Sequence, residues 1–129
     1  MQVLAIEDDA LNRRVVRDML MVAGVGMDEA DSAEKGLRMI DGMDFDAILM
    51  DLRMPGMDGF EAIGLIRQRH DAKALLPIIV ITADAADNLR AQCLAHGADE
   101  LLLKPVAMEE LFDAIGRVIA ARSDGSMMV

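Results

Sequence analysis

The regular alternation of short apolar runs with longer amphipathic stretches constrains the fold of this chain more than any other feature. The apolar runs lie at residues 3–6, 26–30, 47–50, 78–81 and 101–103, the second being the weakest. The amphipathic stretches lie at residues 10–23, 32–42, 58–69, 85–96 and 107–121. Short apolar runs between helices are typical of parallel strands buried on both faces. The pattern predicts an α/β fold, a doubly wound (βα)5 sandwich with a five-stranded parallel sheet and helices on both faces.

The size and charge of the chain limit the number of domains and the kinds of partner that we expect. Its 129 residues, 53% hydrophobic and 28% charged, suit one globular domain, which we expect at residues 1–122 with a flexible tail at 123–129. The net charge of −10 argues against direct binding to nucleic acid, because the chain repels phosphate backbones. No apolar run reaches the ~18 to 20 residues that span a bilayer, and the start lacks the basic region of a signal peptide. We therefore expect a cytoplasmic protein without a membrane partner.

Single residues at the ends of the predicted elements agree with this fold. Ser32 can cap the second helix, and Gly24 and Gly97 stand where the first and fourth helices should end. Pro77 opens the fourth strand, where a missing N–H group does least harm. The single cysteine, Cys93, lies among helix-forming residues and is predicted to be a packed thiol without a chemical role.

Polar residues follow four of the five predicted strands, at the point where each strand ends. They are Glu7, Asp8 and Asp9 after the first strand, Asp51 after the third, Thr82 and Ala83 after the fourth, and Lys104 and Pro105 after the fifth. In open α/β sheets, ligands bind beyond the carboxyl ends of the strands. We therefore expect these side chains to converge on one rim of the sheet.

The predicted rim carries an excess of negative charge. Several carboxylates in one partly desolvated cleft repel one another strongly, and Lys104 supplies only one positive charge against them. Mg²⁺ adds two positive charges, prefers oxygen ligands, and usually takes one or two carboxylates together with a phosphate. An acidic pair on one strand tip and a single aspartate on another therefore predict a magnesium site.

The single aspartate in the middle of the rim, Asp51, can also act as a nucleophile, because carboxylates form acyl phosphates in phosphoryl transfer. The metal and Lys104 would neutralise charge on the phosphoryl oxygens, and Thr82 could donate a hydrogen bond from the adjacent strand. Each residue also has a structural alternative, since an acidic pair or a lone aspartate often caps a helix or a turn. Their joint occurrence at successive strand ends favours the phosphoryl-transfer interpretation.

Four stretches carry a resemblance to a known family: VLAIEDD, DAILMDLRMPGMDG, IIVITA and GADELLLKP. With them, the chain resembles the receiver domains of two-component response regulators over essentially its whole length. The resemblance implies a flavodoxin-like fold, Asp51 as the phosphoacceptor and Mg²⁺ as the cofactor. It also implies a phosphodonor, the phosphohistidine of a histidine kinase or histidine phosphotransferase, and a downstream protein partner.

The resemblance further implies roles for the other residues at the strand ends. Asp8 and Asp9 would form the acidic pair, with Asp9 binding magnesium directly and Asp8 acting mostly through water. The backbone carbonyl of Arg53 would be a further ligand beside Asp51. Thr82 would be the switch hydroxyl.

The end of the fifth strand matches the family in part. The resemblance implies that Ala83 and Lys104 complete the phosphate-binding and switch group, with a cis peptide bond before Pro105. Many receivers have an aromatic residue three places before the lysine that swings inward after phosphorylation. Here that place is taken by Leu101, which has no ring to swing and is predicted to be a core residue. The coupling between the switch hydroxyl and an aromatic ring is therefore not expected in this chain.

Two variable positions flank the acceptor. Arg53 stands two residues after Asp51, and Asp84 stands two residues after Thr82. In this family such positions tune the access of water to the phosphoryl group. Their opposite charges predict either an ion pair that slows spontaneous dephosphorylation or two separate, solvated side chains.

The apolar arc of the first helix covers roughly half of its circumference, which is wider than the ~100° stripe that a surface helix needs. The helix is therefore either deeply packed or partly exposed through apolar residues. The resemblance implies that this helix docks against the four-helix phosphodonor bundle, with Arg13, Val16 and Met19 as candidate contact residues.

Other interpretations remain open. The chain could be a receiver module from a hybrid histidine kinase, although the lack of a linker at either end favours a stand-alone regulator that switches protein contacts without a DNA-binding output domain. An aspartate-nucleophile phosphatase would need a second acid two residues after Asp51, where Arg53 stands. We expect no classical enzyme, and either a monomer or a phosphorylation-dependent dimer.

Overall fold

The computed structural model describes the backbone of residues 1–127 and the side chains of residues 1–121. Within them, a short 3₁₀ helix at Ala72–Leu75 precedes the fourth of five strands. The strands are β1 (Gln2–Ile6), β2 (Gly26–Ala30), β3 (Ala47–Met50), β4 (Ile78–Thr82) and β5 (Glu100–Leu103). The helices are α1 (Ala10–Val22), α2 (Ala33–Gly42), α3 (Gly59–Arg67), α4 (Leu89–His96) and α5 (Met108–Met127). None of the described helices combines the length and the hydropathy needed to cross a membrane.

The five strands form one parallel sheet in the order β2-β1-β3-β4-β5, which confirms the predicted doubly wound sandwich. Strand β1 pairs on both sides, so that Ala5 lies opposite Glu29 of β2 and Leu49 of β3. The strand order reverses between β1 and β3. In sheets of this kind, ligands bind beyond the carboxyl ends of the strands at the point of reversal. Glu7 and Asp51 are the first residues after those two strands.

A hydrophobic core lies on each face of the sheet, because successive side chains of a strand point to opposite faces. Leu4 and Ile6 of β1 belong to the core that includes residues of α2, α3 and α4. Val3 and Ala5 belong to the core that includes residues of α1 and α5. Both faces of the central strands are covered, which explains why those strands are continuous apolar runs rather than alternating ones.

The helix ends follow the local signals in the sequence. The Ser32 hydroxyl oxygen accepts a hydrogen bond from the Lys35 amide at 3.2 Å and caps α2. Gly97 ends α4 with a φ of 112°, and Gly24 follows α1 with a φ of 73°, conformations that glycine adopts without strain. Cys93 is buried as predicted, and burial raises the pKa of its thiol.

The predicted element boundaries differ most from the structure at one end of α4 and one end of α5. Helix α4 begins at Leu89 rather than near residue 85. In the intervening turn, Asp84 Oδ1 accepts a hydrogen bond from the Ala86 amide at 3.0 Å, and such local bonds compete with helix formation. Helix α5 continues to Met127, beyond the end predicted near residue 121. The flexible tail predicted at 123–129 includes residues 128–129, which lie outside the described residues, and it stays a prediction.

Candidate functional site

The buried polar side chains of the described residues lie at the carboxyl-terminal rim of the sheet. Among the described residues, three polar or charged ones are buried: Glu7, Asp51 and Thr82, with 8%, 7% and 1% of their surfaces exposed. Glu7 and Asp51 directly follow β1 and β3, and Thr82 is the last residue of β4. A carboxylate is almost never buried without a partner. Its burial at two neighbouring strand ends marks this rim as the candidate site.

Three carboxylates meet at the rim. One side-chain oxygen each from Glu7, Asp8 and Asp51 lie within 4.8 Å of one another, which is close enough to share a metal ion. Glu7 and Asp51 are buried, whereas Asp8 is exposed. A set made only of carboxylate oxygens suits a hard divalent cation such as Mg²⁺.

Lys104 brings a positive charge to the acidic cluster. Its Nζ donates to Glu7 Oε1 at 2.5 Å and lies 3.5 Å from Asp51 Oδ2. The Lys104 amide donates to the Thr82 carbonyl at 2.8 Å, which ties the start of the β5–α5 loop to the end of β4. The peptide bond between Lys104 and Pro105 is cis, as the family resemblance implies.

The pKa values of these groups reflect crowding of like charges in a partly desolvated place. Burial raises the pKa of Glu7, and the nearby Asp51 carboxylate raises it further, against the opposing effect of Lys104. The pKa of Asp8 is raised mainly by desolvation and, to a smaller extent, by the contact with Glu7. Burial by itself would lower the pKa of Lys104, but the contacts with Glu7 and Asp51 outweigh it and raise the value. The lysine therefore stays charged and only partly compensates the acids.

The structure shifts the expected acidic pair by one residue. Glu7 and Asp8 lie in the cluster with Asp51, whereas the expected direct ligand, Asp9, is not brought into it. Asp9 is the N-cap of α1, where its Oδ1 accepts hydrogen bonds from the Leu11 amide at 2.8 Å and the Asn12 amide at 3.2 Å. The reason is that β1 ends at Ile6, so that the first two residues after it reach the rim and the third already caps the helix. The capping preference of aspartate just before a helix is the signal that could have found this.

The backbone around Asp51 holds its carboxylate at the tip of β3. The Asp51 amide donates to the Ile6 carbonyl of β1 at 3.0 Å, and the Arg53 amide donates to Asp51 Oδ1 at 3.2 Å. The start of α3 approaches closely, since a Cβ atom at Gly59 would lie 2.8 Å from the Leu52 Cα and 2.9 Å from the Asp51 carbonyl oxygen. Only glycine allows this approach, which explains the last residue of the DAILMDLRMPGMDG stretch.

Thr82 and the turn after it line the next part of the rim. The Thr82 hydroxyl oxygen accepts a hydrogen bond from the Asp84 amide at 3.2 Å, while the intervening Ala83 is exposed. Leu101 of β5 is partly buried and packs against the core that includes α4 residues. Its backbone carbonyl accepts a hydrogen bond from Arg90 Nη1 of α4 at 3.5 Å.

Arg53 and Asp84 form an ion pair that bridges the β3–α3 and β4–α4 loops. The Arg53 side chain is 75% exposed and that of Asp84 is 22% exposed. The Arg53 guanidinium is the main reason why the pKa of Asp84 lies below its usual range. Of the two arrangements that the sequence allows, the structure therefore shows the pair rather than two separate side chains.

The three candidate docking residues of α1 are partly buried, and their role in docking stays a prediction. Val16 and Met19 are partly buried against the core that includes α5 residues, and the Arg13 side chain is 18% exposed. Val16 and Met19 also line a cavity of 180 Å³ that extends to Asp51 and Lys104. The apolar side chains that α1 does expose are Leu11, Val15, Met21 and Val22.

Comparison with known proteins decides the family. The family model described as "Response regulator receiver domain" matches residues 3–116, which is most of the chain. The chain belongs to the response regulator receiver family. This receiver domain is 34% identical over 125 residues to the response regulator protein FleR of Pseudomonas aeruginosa, covering 97% of the chain and 26% of that protein. It is 32% identical over 119 residues to hybrid signal transduction histidine kinase G of Dictyostelium discoideum, covering 91% of the chain and 4% of that protein.

Solved structures confirm the fold of the receiver domain. A response regulator from Chloroflexus aurantiacus matches with a TM-score of 0.87 and 28% identity, covering 92% of this chain and 97% of that one. The receiver domain of the sensor histidine kinase PA1611 from Pseudomonas aeruginosa matches with a TM-score of 0.84 and 33% identity, over 92% of this chain and 97% of that one. That structure has a magnesium ion coordinated in the active-site cleft. The chain is therefore a flavodoxin-like receiver domain of two-component signalling.

Proposed function

We propose that this receiver domain accepts a phosphoryl group on Asp51 from a phosphohistidine of a histidine kinase or histidine phosphotransferase, with Mg²⁺ as cofactor. The observation that carries the proposal is the meeting of a buried strand-end carboxylate, two further acids within 4.8 Å and a lysine ammonium 3.5 Å away. The chain covers only 26% and 4% of the two relatives named above, so this proposal concerns the receiver domain and not a longer protein.

The residues at the rim fit a magnesium ion. Glu7, Asp8 and Asp51 supply hard oxygen ligands and more negative charge than Lys104 compensates. The backbone at Arg53 lies beside the Asp51 carboxylate, because the Arg53 amide donates to it, and the Arg53 carbonyl is a candidate for a further ligand. When bound, Mg²⁺ would neutralise charge on the phosphoryl oxygens. The magnesium in the PA1611 receiver domain supports this choice of metal.

The chemistry of the protein's own residues follows from their positions. A carboxylate oxygen of Asp51 forms a bond to phosphorus as the bond between phosphorus and the donor imidazole breaks, which leaves an acyl phosphate and a free histidine. Lys104 Nζ, already beside Asp51, can pair with an oxygen of the transferred group. Burial of Asp51 on a rigid strand tip holds the nucleophile in line with the incoming group.

The response to phosphorylation runs through Thr82 in this proposal. The Thr82 hydroxyl can donate to a phosphoryl oxygen while its oxygen holds the Asp84 amide, so a shift of Thr82 moves the β4–α4 loop. Leu101 offers neither a ring nor a hydroxyl for the next step, and its partly buried side chain stays in the core. We therefore propose that the loop and α4 carry the change of protein contacts.

The phosphodonor docks on α1 in this proposal. Leu11 and Val15, 69% and 44% exposed, present an apolar surface at the end of α1 nearest the rim. Val16 and Met19 extend this surface inward along the cavity that reaches Asp51. The receiver domain assists its own phosphorylation and dephosphorylation without being a classical enzyme. The hybrid histidine kinase among its relatives supports a second possibility, that the same domain acts within such a kinase.

The reaction is tested by incubating the chain with acetyl phosphate and Mg²⁺, followed by intact mass measurement. The wild type is expected to gain one phosphoryl group, and Asp51→Asn is expected to gain none. Asp44→Asn is the matched control, because its side chain is 99% exposed and lies away from the rim. A gain in Asp51→Asn equal to that of the wild type would refute the assignment of the acceptor.

The Arg53–Asp84 pair gives a separate prediction on the lifetime of the phosphoryl group. Because the pair bridges the two loops beside Asp51, we propose that it limits the access of water. Arg53→Ala is expected to shorten the lifetime of the acyl phosphate several-fold with little effect on stability, since exposed pairs contribute only ~0–1 kcal/mol. The lifetime is measured by the decay of the phosphorylated mass, and an unchanged value would contradict the proposal.

A further inference from the structure

Arg13 points into the turn between β1 and α1 and not into solvent. Its Nη1 donates to the Glu7 carbonyl oxygen at 2.8 Å. Its Nε donates to Glu29 Oε1 of β2 at 3.2 Å, and the side chain is 18% exposed. The guanidinium therefore connects the neighbouring strand to the residue that begins the acidic cluster.

The Glu7 carbonyl lies where the sheet no longer supplies a donor. The pairing of β1 with β2 ends at Ile6 and Ala30, and the Glu7 amide donates to the Ala30 carbonyl at 3.0 Å. Beyond this point the chain turns into α1, which Asp9 caps. A buried carbonyl without a donor is unfavourable, and Arg13 supplies the missing hydrogen bond. The backbone of Glu7 is thus held by Ala30 on one side and Arg13 on the other.

Glu29 orients the guanidinium of Arg13. It accepts from Arg13 through Oε1 and from Arg17 Nη2 through Oε2. Arg17 Nη2 also donates to the Met27 carbonyl at 3.3 Å, so both arginines are anchored to β2. The planar fork of an arginine reaches two acceptors at once, which a lysine ammonium does with less directional control.

We infer that Arg13, oriented by Glu29, is a positioning residue for the metal site: it fixes the peptide group between Glu7 and Asp8 so that both carboxylates face Asp51. The peptide group is planar, so a hydrogen bond to its carbonyl sets the direction in which the chain leaves Glu7. This inference rests on the proposed function, in which the three acids hold Mg²⁺. It gives Arg13 a role different from the partner contact that the family resemblance implies.

The inference is tested by measuring Mg²⁺ binding to the full, unphosphorylated chain with isothermal titration calorimetry. Arg13→Gln is expected to weaken binding about tenfold, the size usual for loss of a group that orients metal ligands. Glu29→Gln is expected to weaken it by a smaller factor in the same direction. Arg14→Gln is the matched control, because Arg14 is exposed on the same helix and its loss removes the same charge.

The control also separates geometry from charge. Loss of a positive charge by itself favours the binding of a cation, so Arg14→Gln should leave the Mg²⁺ affinity unchanged or slightly higher. Arg13→Lys, which keeps the charge, should bind Mg²⁺ almost as weakly as Arg13→Gln. Thermal unfolding in EDTA shows whether each variant is folded. If Arg13→Gln is not folded, the Mg²⁺ affinity of Arg13→Lys, which keeps the charge, decides.

Three results would overturn the inference: equal Mg²⁺ affinity of Arg13→Gln and wild type, equal weakening in Arg14→Gln, or full recovery in Arg13→Lys. A folded Glu29→Gln variant with unchanged affinity would remove the orienting role of Glu29. If the wild type itself does not bind Mg²⁺, the proposed function fails instead, so the two failures are distinguishable.

Discussion

The amino-terminal and carboxyl-terminal edges of the sheet both combine basic and acidic side chains, but in different proportions. At the amino-terminal edge, Arg67 of α3 donates to the carbonyls of Ala74, Leu76 and Gly97, each at 2.8 Å, and to Asp99 Oδ2 at 3.1 Å. Asp99 also accepts from the amide of Ile78, the first residue of β4, at 2.8 Å. At the carboxyl-terminal rim, Lys104 is shared between two of three carboxylates. At the amino-terminal edge a single arginine therefore satisfies one acid and three carbonyls, whereas at the rim a single lysine is shared among several acids.

The pKa values show the same difference. At the amino-terminal edge, the hydrogen bonds from Arg69 lower the pKa of Asp71 below its usual range. At the rim, burial and the neighbouring Asp51 raise the pKa of Glu7. An acid with its own cation stabilises the fold, whereas three acids that share one lysine are held together by the rest of the fold. The rim, where three acids share one lysine, is therefore the edge that is suited to bind a metal ion.

The largest expected effect follows from removing the cation of the rim. Lys104→Ala should slow phosphorylation by acetyl phosphate about 10²- to 10³-fold, the range found when one electrostatic donor to a developing charge is lost. The rate is measured from the time course of the intact mass. Lys35→Ala, which removes an exposed lysine, is the control. An unchanged rate in Lys104→Ala would show that the rim does not need its lysine.

Removing the cation of the opposite edge should affect stability instead. Arg67→Ala leaves Asp99 and three carbonyls without this donor, so we expect the free energy of unfolding to fall by about 2–3 kcal/mol. Urea denaturation measures the change, and the Mg²⁺ affinity of the folded variant should be that of the wild type. Arg90→Ala, at a side chain 58% exposed, is the comparison. A loss no greater than that of Arg90→Ala would contradict the assigned role.

Magnesium should stabilise the domain through the rim. At a free concentration of 100 times its dissociation constant, a ligand that binds only the folded state adds about 2.7 kcal/mol to the free energy of unfolding. We expect this gain in the wild type, its reversal by EDTA, and little gain in Asp8→Asn. Sodium chloride at matched ionic strength controls for screening of the net charge of −10. An equal Mg²⁺-dependent gain in the free energy of unfolding of Asp8→Asn would show that the ion does not bind at Asp8.

The smallest effect concerns Asp71 at the amino-terminal edge. Arg69 binds both of its oxygens, at 3.0 and 2.9 Å, and lowers its pKa. A lowered pKa stabilises the fold above the unfolded value of about 4 and this stabilisation disappears as the pH falls through the folded value. The difference in stability between wild type and Asp71→Asn should therefore shrink on acidification below about pH 4. Urea denaturation at several pH values measures it, and a constant difference would argue against the pair.

The pattern of apolar runs predicted four of the five strands, because residues buried on both sides of a parallel sheet must be apolar along the whole strand. Strand β2, GMDEA, lies at the edge and is only partly buried, so it was predicted mainly by its place in the order. The rule that ligands bind beyond the strand ends predicted that Asp51, Thr82 and Lys104 belong to one rim. The rule did not show which two of the three acids after β1 reach the rim, because it identifies only the end of a strand and not a single residue. The capping of α1 by Asp9 settled which two reach the rim.

Local pattern and chain order were enough to predict the fold, the edge of the sheet that carries the site and the position of Asp51 at that edge. The matching of the charges, in contrast, depends on how the elements pack. The bonds of Arg67 to Gly97, and of Arg13 to Glu29, join residues that are 30 and 16 positions apart. Such contacts depend on the packing of whole elements, and no local pattern of residues specifies them.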